Sequence, residues 1–265
     1  MKICFSTLGC TERSLEEILA LAEKYSIDAL ELRGMGGVMD NRKIEAFLPE
    51  KREETKGKFA ASGISPLILG TSCKFHDASK LGEAMEEGYA SIDIAAAMGF
   101  HGIRVFGNNI KGDEVECLDR ICGGISQLCE YAAEKGVMVL LETHGDVNTA
   151  ERLGVVADAC RKYENFGFIW DICHTRLTYG ESWRTFCDDF FPLIRHLHLK
   201  DIAADALTLP GEGDLPIREM VEYLLSKGYD GYFSLEWEKN GIPNCRPSRM
   251  HSIRCSKYLT EVTKC

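Results

Sequence analysis

Residues 137–171, VMVLLETHGDVNTAERLGVVADACRKYENFGFIWD, decide the fold. They open on a short apolar run, VMVLLET (137–143), and close on another, FGFIWD (166–171). Neither run alternates polar and apolar residues, as a strand with one wet face would, so both read as parallel strands covered on both sides. Between them, residues 149–162 carry apolar side chains at helical spacing. Strand, helix and strand in succession imply parallel strands joined by a right-handed crossover.

The unit recurs in both directions. Apolar runs of similar length occur at 2–6 (KICFS), 28–33 (DALELR), 64–70 (ISPLILG), 102–107 (GIRVFG), 194–200 (IRHLHLK) and 231–237 (GYFSLEW). Helical patterns fill 14–24, 43–62, 79–98, 113–135, 182–190, 216–227 and 247–261. Ser14 with Glu17 three residues on is a capping-box pattern. Eight strands in strict alternation with eight helices predict an α/β protein, a single (β/α)8 barrel over residues 1–265. A barrel of this kind needs about 250 residues, so one domain fits the length. The longest loops are expected at 34–42, 71–78, 172–181 and 201–215.

Composition narrows the function. The net charge of −10 argues against a nucleic-acid partner, which would need a positive footprint. No apolar stretch reaches the roughly 20 residues that a membrane span requires. The start, MKICFSTLG, reads as a strand rather than a signal segment, and the 12 cysteines are scattered without a CxxC pair. Free thiols in a reducing cytoplasm are therefore expected, with most cysteines acting as small core residues. Assembly into a homo-oligomer is left open.

In a barrel the functional groups gather where strands end and βα loops begin. The runs lead there to Ser6 and Thr7, to Glu31 and Arg33, to Lys74 and His76, and to Arg104 and Asn108. The last four are the most informative: Glu142 then His144, Asp171 then His174, His196, His198, Lys200 and Asp201, and Glu236 then Trp237. A carboxylate buried at the end of an apolar run needs a cation or a metal beside it. Three carboxylates and an imidazole on adjacent strands suit a hard or borderline divalent ion. His196 and His198 are expected to face opposite ways, with only one pointing into the barrel. Arg104 is expected either to bind substrate or to pair with Glu142 or Glu31, and Lys200 with Asp201 either to form a local ion pair or to touch substrate. Trp237 and Phe106 are candidate stacking surfaces for a sugar ring, and Cys173 is expected to fill space.

The segments GIRVFG (102–107), LLETH (140–144), DICHT (171–175), HLHLKD (196–201), LPGEGDLP (209–216) and SLEWE (234–238) resemble the xylose isomerase-like TIM-barrel superfamily, the sugar phosphate isomerase/epimerase and AP endonuclease family 2 group. The resemblance implies one divalent metal ion (Mn2+, Mg2+, Co2+ or Zn2+) on Glu142, Asp171, His198 and Glu236. It also implies a small carbohydrate substrate contacted by His174, and an isomerase or epimerase reaction in which Glu142 and Glu236 move a proton through a metal-stabilised enediolate. Lys200, Arg104, His144, His76 and Trp237 complete the expected substrate-binding set. Asn148 and Ala204 stand where the ketose 3-epimerase branch carries a glutamate and an arginine, so the substrate contacts of that branch do not carry over. A lyase of the inosose dehydratase or C-glycoside-cleaving kind is the alternative on the same site. A non-catalytic sugar-binding barrel and an AP endonuclease are further alternatives; the endonuclease is disfavoured by the acidic balance and by the lack of a histidine at the end of the fourth run.

Overall fold

The computed structural model describes residues 1–203 and 206–237, and the helix expected at 247–261 lies outside them. Strands β1 (Lys2–Ser6), β2 (Ala29–Leu32), β3 (Ser65–Lys74), β4 (Gly102–Phe106), β5 (Met138–Glu142), β6 (Phe166–Asp171), β7 (Ile194–Leu199) and β10 (Tyr232–Leu235) form a closed barrel in that order, with β10 hydrogen-bonded back to β1. Every neighbouring pair is parallel. The fold is the expected (β/α)8 barrel. Around it lie α1 (Leu15–Lys24), α2 (Arg52–Ser62), α3 (Leu81–Met98), α4 (Glu114–Ala133), α5 (Ala150–Cys160), α6 (Ile172–Tyr179), α7 (Trp183–Phe190) and α8 (Ile217–Ser226).

Local chemistry sets the boundaries. Ser14 and Glu17 close the capping box on α1, each side chain accepting the other residue's backbone N–H. Helix α2 starts nine residues later than the apolar spacing suggests. Pro49 supplies no N–H and holds Leu48 extended (ψ 144°), so residues 45–51 form 3-10 turns before the helix begins at Arg52. Gly99 ends α3 with φ 80°, a left-handed turn that a side chain would strain.

Two expected loops contain structure. Residues 172–179 form α6, whose N-cap is Asp171: its Oδ1 accepts the His174 N–H at 2.9 Å. After β7, the strands β8 (Asp201–Ala203) and β9 (Ala206–Thr208) form a small antiparallel hairpin.

The barrel interior is layered by the two-residue period of its strands. Cys4, Ala29, Leu67, Ile68, Leu140 and Ile169 form a small apolar cluster apart from the main core. One step of two residues along four of the strands leads from Cys4 to Ser6, from Ala29 to Glu31, from Leu140 to Glu142 and from Ile169 to Asp171. A polar layer therefore stands directly on an apolar one, on the same faces of the strands.

Asp201 holds the loop that follows β7. Its carboxylate accepts N–H groups from Ile202 (2.9 Å), Gly211 (2.8 Å), Gly213 (3.0 Å) and Leu215 (3.2 Å). It is not the ion-pair partner of Lys200 that adjacency suggested. The PGEGD segment explains itself here, because a Cβ on Gly213 would run into the Asp201 carboxylate and the Ile202 carbonyl. Replacing Asp201 with alanine strands four backbone donors at once, that of Leu215 buried and the others partly so. Asp201→Ala is expected to lower unfolding stability by about 2–4 kcal/mol in urea titrations; a change below roughly 0.5 kcal/mol, typical of a neutral surface site, would show that the loop is held by other contacts.

Candidate metal and proton-transfer site

The C-terminal ends of β5, β6 and β7 and the residue just beyond β10 converge on one point. Glu142, Asp171, His198 and Glu236 are all buried, and one ligand-capable atom of each lies within 4.8 Å of the others. The Glu236 backbone continues the ladder by donating its N–H to the Leu199 carbonyl at 3.1 Å, which aims its side chain inward. Asp171 divides its two oxygens: Oδ1 caps α6 while Oδ2 faces the site. Its own N–H is held by Thr143 Oγ1 at 2.9 Å. His198 Nδ1 lies 3.5 Å from Glu236 Oε2, 3.8 Å from Glu142 Oε1 and 3.9 Å from Asp171 Oδ2.

The other nitrogen of His198 meets a residue that the strand-end reading treated only as a possible partner for Arg104. Glu31 Oε2 lies 2.8 Å from His198 Nε2 and 3.2 Å from His196 Nε2, and it accepts from Ser234 Oγ at 3.3 Å. His196 is therefore not turned out of the barrel. Residues two apart in a strand share a face, so both histidines point inward, and both are buried. The Glu31, His196 and His198 atoms are close enough to hold an ion, but two N–H donors on one carboxylate oxygen already account for these contacts as hydrogen bonds.

Arg104 and Lys200 supply the permanent positive charge. Arg104 Nη1 lies 3.0 Å from Glu142 Oε2, 3.5 Å from Glu236 Oε1 and 3.8 Å from Glu31 Oε1. Its guanidinium stacks over Phe106 at 4.4 Å. Lys200 Nζ lies 2.8 Å from Asp171 Oδ2 and 2.7 Å from Glu236 Oε2. Burial works to raise the carboxylate pKa values, but these cations and His198 outweigh it. Glu142, Asp171 and Glu236 are each lowered, and Glu31 is held well below the usual carboxylate range. His198 moves the other way: burial would discharge it, yet the charges of Glu236, Glu31 and Glu142 hold its pKa well above the ordinary imidazole value. His196 stays neutral to lower pH than usual, chiefly through burial.

These residues fit a divalent ion. His198 Nδ1 is buried without a hydrogen-bond partner, and the oxygens grouped around it, Glu142 Oε2, Asp171 Oδ2 and Glu236 Oε1, are held by ion pairs to Arg104 and Lys200. Gathering three buried carboxylates around an imidazole nitrogen that has no hydrogen bond is costly unless an ion completes the group. Charge points the same way. The carboxylates of Glu31, Glu142, Asp171 and Glu236 against Arg104 and Lys200 leave two negative charges uncompensated, and one divalent ion neutralises them with His198 uncharged.

Among the other expected residues, His144 and His174 stand together at this mouth, with ring centroids 4.3 Å apart and His144 also edge-on to Phe106. Burial and the neighbouring His174 lower the His144 pKa. His174 Nε2 is 3.9 Å from Asp171 Oδ2. Trp237 packs over Gly9 and shares a cavity wall with Lys200 and Glu236. His76 goes elsewhere: it contacts Asn108 at 3.3 Å in a separate rim depression with Ser72 and Lys74. Cys173 is buried in the hydrophobic core. Cys4, Cys73, Cys117, Cys122, Cys129, Cys160 and Cys187 are free thiols, and no described helix is long and apolar enough to cross a membrane.

A model of the xylose isomerase-like TIM-barrel family matches residues 19–255. Fructoselysine 3-epimerase of Escherichia coli O157:H7 is 32% identical over 124 residues, 44% of each chain. Inosose dehydratase of Yersinia enterocolitica is 23% identical over 165 residues, 54% of each. The chain thus aligns with only about half the length of these curated relatives. Among solved structures, the IOLI protein with a binding zinc atom superposes with a TM-score of 0.79 at 19% identity, covering 99% of this chain and 96% of that one, a likeness of fold. With 237 of its residues inside the family match and the barrel closed as the family requires, the chain belongs to the xylose isomerase-like TIM-barrel family.

Proposed function

We propose that the chain is a divalent-metal-dependent isomerase or epimerase of a sugar or sugar-derived carbonyl compound. The observation that carries this reading is the cluster of Glu142, Asp171, His198 and Glu236, three buried carboxylates around an imidazole nitrogen with no hydrogen bond, at the mouth of the barrel. The zinc of the IOLI protein supports a divalent ion, and the donor set is compatible with Mn2+, Mg2+, Co2+ or Zn2+. Bound there, such an ion supplies Lewis acidity for a substrate carbonyl.

The remaining chemistry belongs to the side chains. Glu142 and Glu236 are held ionised by Arg104 and Lys200, so each stands ready to accept a proton from carbon beside the carbonyl. Removal of that proton by one glutamate, and delivery of a proton to the opposite face by the other after it has itself been protonated from solvent, inverts the stereocentre. Arg104 and Lys200 hold positive charge where negative charge develops on substrate oxygen. His144 and His174, side by side at the mouth, orient substrate hydroxyls, and Trp237 offers a surface for the sugar.

A lyase is the second reading. The likeness to inosose dehydratase favours it, as does the position of Lys200, whose ammonium sits 2.7 Å from the base Glu236 and can protonate a departing hydroxyl. Both reactions begin with the same proton abstraction.

Glu236→Gln is expected to cut turnover by about 100-fold or more with the circular dichroism spectrum unchanged; normal turnover in that variant would sink the mechanism. Incubation of ketoses and inososes in deuterated water separates the two reactions. Deuterium at the carbon beside the carbonyl with no new absorbance marks the isomerase or epimerase, and an ultraviolet-absorbing enone marks the lyase. Metal uptake should also depend on pH. The charges of Glu236, Glu31 and Glu142 raise the His198 pKa, and an imidazole ligates only through an unprotonated nitrogen, so an ion must compete with protons for Nδ1. Calorimetric titration with Mn2+ in buffers of different ionisation enthalpy should show proton release on binding and weaker binding as pH falls. Uptake that neither releases a proton nor weakens in acid would contradict this picture of His198.

A further inference from the structure

We propose that Glu31 is a positioning residue for the metal centre: it holds His198 as the tautomer that keeps its proton on Nε2 and offers Nδ1 to the ion. The inference rests on the metal reading above.

The geometry divides the His198 ring between two carboxylate environments. Nε2 lies 2.8 Å from Glu31 Oε2, and Nδ1 faces Glu142, Asp171 and Glu236 without a hydrogen bond of its own. An imidazole ligates through the nitrogen that lacks a proton, so whatever accepts the N–H on the far side decides which nitrogen is free. Both Glu31 and His198 are fully shielded from water (0% exposed), so no solvent molecule can take over the acceptor role at the surface.

Glu31 is suited to orient rather than to ligate. Its Oε2 gathers donors from His196 and His198 on β7 and from Ser234 on β10, and its Oε1 lies 3.8 Å from Arg104 Nη1 on β4. It is absent from the group of Glu142, Asp171, His198 and Glu236. A carboxylate tied to three strands of the barrel fixes the ring plane of His198 as well as its tautomer. His196 then acts with Ser234 to fix the carboxylate, which explains why a second inward histidine stands on the same strand as the ligand.

The test loads purified wild-type protein and Glu31→Gln with Zn2+ against a competing chelator, and reads the 15N-labelled histidines by long-range 1H–15N correlation. Wild-type protein is expected to show His198 protonated at Nε2 and metal-bound at Nδ1. Glu31→Gln, a neutral acceptor of the same shape, is expected to bind Zn2+ roughly 10- to 100-fold more weakly, with the Nε2 proton of His198 exchanging faster. Wild-type protein that takes up no Zn2+ would overturn the metal reading itself. Binding through Nε2 in wild type, or unchanged affinity and an unchanged His198 signal in Glu31→Gln, would overturn the role of Glu31 alone. Should Glu31→Gln fail to fold, the wild-type assignment of the metal-bound nitrogen decides the question.

Discussion

Four carboxylates buried at one end of a closed barrel constrain everything around them. Glu31, Glu142, Asp171 and Glu236 are almost wholly removed from water, and carboxylates in that position stay ionised only where positive charge and hydrogen-bond donors surround them. Arg104 supplies one cation from β4 and reaches Glu31, Glu142 and Glu236; Lys200 supplies the other from the end of β7 and bridges Asp171 and Glu236. With His198 neutral, as a metal ligand must be, the balance still lacks two positive charges. That deficit, more than any single distance, is the ground on which a divalent ion is proposed for the site.

The barrel meets this demand through strand period and economical use of side chains. On β1, β2, β5 and β6 an apolar residue carried inward at one level is followed two positions later by a polar one, so the polar layer is assembled on the apolar layer below it. Asp171 serves two needs with its two oxygens, starting α6 with one and facing the site with the other. Asp201, one residue beyond Lys200, spends its whole carboxylate on backbone N–H groups. The backbone that presents Lys200 to Asp171 and Glu236 is thereby fixed by a neighbour that takes no part in the chemistry.

The fold and much of the site were legible in the sequence because Glu142, Asp171 and Glu236 each end an apolar run, where a lone carboxylate is conspicuous. Glu31 carried a weaker signal. It lies inside ALEL, and its partners on β7 and β10 are more than 160 residues away, so no local pattern joins them. The two histidines of HLHL were misjudged by phase: with a period of two they share a face, and counting from His198 alone would have brought His196 inward as well. Helix α6 was hidden by its composition. Residues 172–179, ICHTRLTY, are poor in helix formers and show no apolar stripe, and the helix depends on the Asp171 cap and on the bond from Trp170 Nε1 to Thr175 Oγ1 at 2.8 Å. The delayed start of α2 was legible in Pro49, whose effect on Leu48 outranks the apolar spacing around it.

The central claim is that the charge deficit of the buried cluster is filled by one divalent ion. Elemental analysis after equilibrium dialysis tests it most directly, comparing wild-type protein with Asp171→Asn against a panel of Mn2+, Mg2+, Co2+ and Zn2+. The account predicts about one ion per chain for at least one metal in wild type, with clear loss of occupancy in the variant. A folded wild-type protein that retains none of these ions, or a variant that retains them as fully as wild type, would contradict it.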